Sequence, residues 1–191
     1  MNLNLIRGEL AVEFVGTLHG RLGGGLDDLR RPADLGAWMR TMKVVDSAPS
    51  VTADELRQAV ELRETVYRVA RAMVLESVPA PADVEWLNDV AAGCPPAPSV
   101  SRSGRLVRSG DLAAALVAVA RDALMLWELP EGSLLKRCDD DTCRRVFLDR
   151  SRGNRRRWCG MANCGDRSKA RAYRSRRRAA VSLTELKEEE S

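Results

Sequence analysis

Cys138 and Cys143 are separated by four residues, Cys159 and Cys164 by four more, and fifteen residues lie between the pairs. Four thiolates in two close pairs are the donor set of a structural zinc ion: each pair lets one tight turn present two sulfurs, and the intervening segment closes the loop. A reducing compartment is expected, so the cysteines are better metal ligands than disulfide partners. Two disulfides, or thiols placed only for packing, are the alternatives, and an iron–sulfur cluster also takes four thiolates. The composition of the segment favours one structural Zn2+. Val146, Phe147, Leu148, Trp158 and Tyr173 are almost all that it can bury, too little apolar surface to offset its chain entropy without a metal staple.

The same segment is basic. The whole chain carries a formal charge of +4, yet residues 138–178 hold fourteen Lys/Arg against five Asp, which leaves the remainder net acidic. Residues 165–178 lack proline and are rich in Arg and Ala, which predicts a helix with Cys164 at its start. The helix dipole and nearby guanidinium groups would lower the thiol pKa values. On such a helix Arg167, Arg171, Arg174 and Arg178 form one stripe, with Lys169 beside it, while Ala170 and Tyr173 face the zinc hairpin. A second cluster, Arg150, Arg152, Arg155, Arg156 and Arg157, precedes Trp158. Arginine binds phosphate oxygens and guanine edges bidentately, so the stripe suits a major groove and the turn cluster suits backbone anchoring. A charge run is ordinarily a solvated face; one mounted on a rigid metal site points to nucleic acid.

These residues need elements to position them. Residues 144–150 form a strand-like run before a polar turn at 151–154, which predicts a β-hairpin. Further forward, the pattern is helical. Leu10, Phe14 and Leu18 recur at helical spacing, although Val12, Phe14 and Thr17 would also suit a short strand. Leu35, Trp38, Met39 and Met42 predict a helix over 33–45. Thr52 and Glu55 make a capping box before an apolar stripe that reaches about Ser77. Helices are also expected over 81–92 and 111–128, the latter apolar on most sides and therefore central, with a small hairpin about Ser103-Gly104 between them. The fold class is mainly α: a helical domain over 1–135 with a short hairpin, a zinc finger over 136–180 made of a β-hairpin and a basic helix, and an acidic tail over 181–191, frayed beyond a cap at Ser182.

Several function classes fall away. The apolar stretch 112–129 is interrupted by Arg121, Asp122 and Glu128, and the chain opens without a secretory-signal pattern, so a cytoplasmic protein off the membrane is expected. The glycine run at 20–25 lacks the Lys-Ser/Thr of a phosphate loop and reads as a connector. His19, the only histidine, has no nucleophile nearby, and Cys94 reads as a buried or inert thiol. No catalytic constellation is visible, and an enzyme is not expected.

The C-terminal quarter resembles the CGNR zinc-finger family, bacterial proteins with an N-terminal ABATE domain that are described as stress-induced transcription regulators. The resemblance runs through Cys138–Cys143, Phe147-Leu148-Asp149-Arg150-Ser151, Arg157-Trp158-Cys159, Cys164-Gly165-Asp166-Arg167-Ser168-Lys169-Ala170 and Tyr173-Arg174. Weaker likeness covers 10–18 and Leu62-Arg63-Glu64. Asp166 stands where the family motif has Asn, and Glu13 and Gly16 where it more often has Asp and Asn. The resemblance implies a DNA-binding transcription regulator. Its helical domain would take a small-molecule effector or form a homodimer. An adaptor that docks RNA polymerase or another protein, and an RNA-binding protein, are the alternatives.

Overall fold

The computed structural model describes residues 8–129 and 134–189, with side chains to Arg177. The first helix, α1 (Glu9–Val15), begins at Gly8, which takes a left-handed φ of 79°. Gly8 offers no side chain to cap the helix; the Asp122 carboxylate does so from a distant helix, accepting the N–H groups of Gly8 at 3.0 Å and Ala11 at 2.9 Å. The helical alternative for this stretch thus holds to Val15, after which β1 (Leu18–His19) pairs antiparallel with β2 (Leu26–Asp27). The glycine run is the turn between those strands.

Helix α2 (Pro32–Thr41) is shorter than its periodicity suggests, because Lys43 adopts φ 56° and turns the chain. Helix α3 (Ala53–Val74) starts at the expected box, with Thr52 Oγ1 accepting the Glu55 N–H at 3.2 Å and the Glu55 carboxylate accepting the Thr52 N–H at 2.7 Å. Helix α4 (Pro81–Ala91) leads into β3 (Ala97–Val100), which pairs with β4 (Leu106–Ser109) as an exposed hairpin. Helix α5 (Leu112–Leu124) continues as a 3-10 turn, Met125–Glu128. It packs against α1, α3 and α4, as its apolar character requires. The charges that interrupt it are staples: Asp122 caps α1, and Arg121 donates to the carbonyls of Ala91 and Gly93, both at 2.8 Å. Phe14, Leu35, Met39, Leu62, Val66, Leu87 and Leu126 fill the core between these helices. None of the described helices is long and apolar enough to cross a membrane.

The finger's hairpin differs from the expected one. Its strands are β5 (Leu135–Arg137) and β6 (Val146–Leu148), joined across the first cysteine pair and not across residues 151–154. The unanticipated partner, Leu135-Lys136-Arg137, precedes the first cysteine and carries no clear strand pattern. Strand alternation gives β6 two tasks. Val146 and Leu148 join the core of the helical part, whereas Phe147 packs with the cysteines. The last described element is α6 (Asp166–Glu189), a helix that runs past Ser182 without a break.

Candidate metal centre and nucleic-acid interface

Two turns present the sulfurs. Cys138 closes β5 and donates its N–H to the Arg145 carbonyl at 2.8 Å, while Cys143 donates to the Asp140 carbonyl at 2.9 Å. Cys164 lies in a single π-helical turn, Met161–Gly165, that feeds directly into α6, so it stands at a helix start as expected. The four sulfurs all lie within 4.8 Å of one another. Cys143 Sγ and Cys159 Sγ are 3.7 Å apart, as are those of Cys159 and Cys164. A tetrahedron with metal–sulfur bonds of about 2.3 Å has edges of about 3.8 Å, whereas a disulfide requires about 2.05 Å. All four cysteines are free thiols by geometry. The cluster is suited to one zinc ion and excludes disulfide pairing within it.

Electrostatics agrees. Hydrogen bonds with Cys138 and then Cys159 pull the Cys143 thiol far below its ordinary value. Hydrogen bonding with Cys138 and Cys143 pushes Cys159 far up, and burial, followed by the Cys143 neighbour, pushes Cys164 up to about 12. These opposed shifts arise because the thiols crowd one another, and negative charge on one disfavours it on its neighbours. Four thiolates need a bound cation, which is the demand zinc would meet.

Two buried carboxylates brace the turns. Asp140, with no exposed side-chain surface, accepts from the Thr142 N–H at 3.0 Å, from Thr142 Oγ1 at 2.7 Å and from Arg167 Nε at 3.1 Å. Asp149, equally buried, accepts from Lys136 Nζ at 2.8 Å, Ser151 Oγ at 2.6 Å and the Arg156 N–H at 2.8 Å. Burial alone would raise the Asp149 pKa, but these donors hold it well below the usual carboxylate range. Neither aspartate is a metal donor in the sequence pattern, and their bracing role shows only when the loops are closed in space.

The arginines divide into two groups. Arg167 bridges Asp140 and Cys164 Sγ, the latter at 3.2 Å. Arg171 lies near Asp141 at 3.7 Å, Arg157 pairs with Asp139 at 2.8 Å, Arg150 pairs with Glu9, and Arg156 donates to the Cys159 carbonyl at 2.6 Å. Lys169 stands 3.7 Å from Asp166. By contrast, the side chains of Arg152, Arg155 and Arg174 are exposed and have no hydrogen-bond or ionic partner among the described residues. Arg176 and Arg177, which the stripe omitted, share that condition. The side chain of Arg178 lies outside the described residues. Ala170 and Tyr173 do not pack toward the hairpin: both are exposed, Tyr173 at 60%. The mini-core is closed by Phe147 and Trp158 instead, and α6 packs chiefly against the turn Met161–Gly165 that precedes it.

The finger is also seated on the helical part. Tyr67 donates its hydroxyl to the Arg144 carbonyl at 3.3 Å, and Leu22 N–H donates to the Thr142 carbonyl at 3.0 Å. Arg145 pairs with Glu13 at 3.0 Å, and its guanidinium lies where a Cβ on Gly16 would be, 2.0 Å from Nη2. Glu13 and Gly16 therefore serve one side chain, the first with charge and the second with space. Elsewhere, Cys94 is exposed and not buried, since the turn after α4 leaves it at the surface. His19 is half-buried, and its ring pairs with Asp28 at 2.7 Å.

Arg167 should act on the metal before it acts on any partner. Arg167→Ala is expected to weaken zinc retention by about tenfold, the lower end for loss of a group supporting a ligand. Competition with a chromogenic chelator measures this; retention equal to the wild type would place Arg167 outside the metal centre.

Comparison with known families gives two matches. ABATE, described as "Putative stress-induced transcription regulator", matches residues 8–130, and the CGNR zinc finger matches residues 135–177. No curated protein matches the chain.

Proposed function

Because the chain belongs to the ABATE family and ends in a CGNR zinc finger, we propose that it is a zinc-dependent DNA-binding regulator of transcription. In this reading Cys138, Cys143, Cys159 and Cys164 hold one structural Zn2+. The helical part, 1–135, senses an effector or dimerises, and the finger, 136–180, carries the DNA contact, with 181–191 as its acidic end. Both matched families are regulatory or metal-binding in description and not enzymatic. The observation that carries the proposal is the exposed set Arg152, Arg155, Arg174, Arg176 and Arg177, unpaired among the described residues, on elements anchored at the cysteines. Guanidinium groups that brace the fold cannot be spent on phosphate without breaking an internal bond, whereas these five can contact it directly.

Zinc, when bound, supplies a rigid mount and neutralises the thiolates; it takes no part in chemistry. Arg174 and Arg177 lie three residues apart on one face of α6. Replacing both with Ala is expected to weaken binding to a random duplex by about tenfold or more at low salt and to lower the slope of log affinity against log salt by about 2. Fluorescence anisotropy across a salt series checks this. A slope unchanged from the wild type would remove α6 from the DNA interface.

Tyr173 supports a second reading. An exposed ring among free arginines is the equipment of a single-strand or RNA reader, which stacks bases on aromatic faces. Tyr173→Ala separates the two readings: it leaves duplex binding intact under the DNA proposal and weakens single-stranded RNA binding under the alternative.

A further inference from the structure

A cleft of about 860 Å3 opens between the C-terminal end of α3, the turn Met125–Glu128 and the finger. Its apolar side is built by Met73, Trp127, Leu129 and Leu135, and its other side carries Lys136, Arg137, Arg156 and Arg157. Three of these cations are already engaged. Lys136 pairs with Asp149, Arg156 holds the Cys159 carbonyl and lies over the Phe147 ring, and Arg157 pairs with Asp139. Arg137 is half-buried and has no hydrogen-bond or ionic partner among the described residues. Its guanidinium is thus available to an anionic group, and it faces a concavity of the size that encloses small organic ligands.

Two acids also line the cleft. Asp139 is neutralised by Arg157, and Glu76 lies exposed. The final carbonyls of α3 are not left bare toward the cleft, since those of Arg71, Ala72 and Met73 accept the N–H groups of Leu75, Glu76 and Ser77. The uncompensated charge is that of Arg137.

We propose that this cleft binds a small organic carboxylate with an apolar body, its head on Arg137 and its chain or ring against Trp127, Leu129 and Leu135. A nucleic-acid phosphate would satisfy Arg137 but leave that apolar side facing water, so the combination favours an amphipathic anion. The ligand touches both the helical part and the strand that leads into Cys138, which makes it an effector for the regulator proposed above. Its binding is independent of whether the partner of the finger is DNA.

The test uses zinc-loaded full chain without nucleic acid. Calorimetric titration with sodium octanoate, sodium decanoate and 2-naphthoate is expected to show saturable one-to-one binding of at least one, with the neutral 1-octanol and 2-naphthol weaker by about tenfold, as loss of a charge-assisted hydrogen bond implies. Arg137→Gln should erase the preference for the anions while zinc content stays at that of the wild type. Leu129→Asn, remote from the cysteines, should weaken acids and alcohols alike. The proposal is overturned if no carboxylate binds saturably, if the alcohols bind as well as the acids, or if Arg137→Gln keeps the anion preference. It is equally overturned if Arg137→Gln weakens only DNA binding, which would make the cleft a phosphate contact. Failure of DNA binding with carboxylate binding intact would instead contradict the function proposed for the finger.

Discussion

Removal of zinc by a chelator, or Cys159→Ser, is expected to unfold the finger and abolish nucleic-acid binding, with affinity falling by more than about 100-fold. Structural zinc contributes about 10–16 kcal/mol in isolated finger peptides, and this segment has little else to hold it, since Phe147 and Trp158 are its principal apolar cover. The effect should also reach beyond the finger. Val146 is fully buried in the core of the helical part, and Leu135 and Leu148 pack against that core. Burial of a single aliphatic side chain is worth about 1.5–3 kcal/mol, so loosening β5 and β6 should lower the melting temperature of the whole protein. Hydrogen exchange would locate the change. Protection should vanish over 138–177 and weaken in α1 and α3, the two helices that touch the hairpin. Protection that survives in the finger after verified metal loss would show that the metal is not its staple.

Arg63→Ala is expected to destabilise the helical part by about 3–5 kcal/mol, the usual cost of removing one partner from a buried ion pair. Arg63 is 2% exposed and grips the Asp27 carboxylate with two nitrogens, at 2.7 and 2.8 Å, while also donating to Thr17 Oγ1 at 3.2 Å and Glu64 at 3.0 Å. Arg21 joins from the other side, pairing with Glu64 and lying 3.8 Å over the Tyr67 ring. Burial pushes the Asp27 pKa up, but the Arg63 hydrogen bonds and the Leu29 N–H more than offset it and hold the carboxyl below its ordinary value. A depressed carboxyl pKa contributes stability that is present in full above the ordinary carboxylate range, near about 4, and lost as pH falls below it. Urea unfolding should therefore show a wild-type stability that declines below that range and an Arg63→Ala stability that declines less steeply. Equal stabilities at neutral pH would mean that the pair holds nothing together.

The cysteine spacing, the helices and the capping box were legible because they depend on contacts within a few turns of chain. Thr52 and Glu55 are three residues apart, and each cysteine pair closes over four residues. What stayed hidden depends on distant partners. Asp122 capping α1, Arg63 closing on Asp27, and Asp140 and Asp149 bracing the finger all join residues whose proximity the fold creates. The arginine stripe shows the same limit. Helical spacing puts Arg167, Arg171 and Arg174 on one face, but it cannot reveal that the first two lie beside the carboxylates of Asp140 and Asp141 while the third has no such partner among the described residues. Tyr173 illustrates the opposite error: an aromatic residue invites a place in the core, yet this one stands exposed on α6.

Elemental analysis combined with thiol titration of the native protein tests the central claim most directly. One zinc per chain is predicted, with a single thiol, exposed Cys94, reacting at once and four more only after chelation. Five thiols reacting together in metal-free but fully folded protein would contradict it.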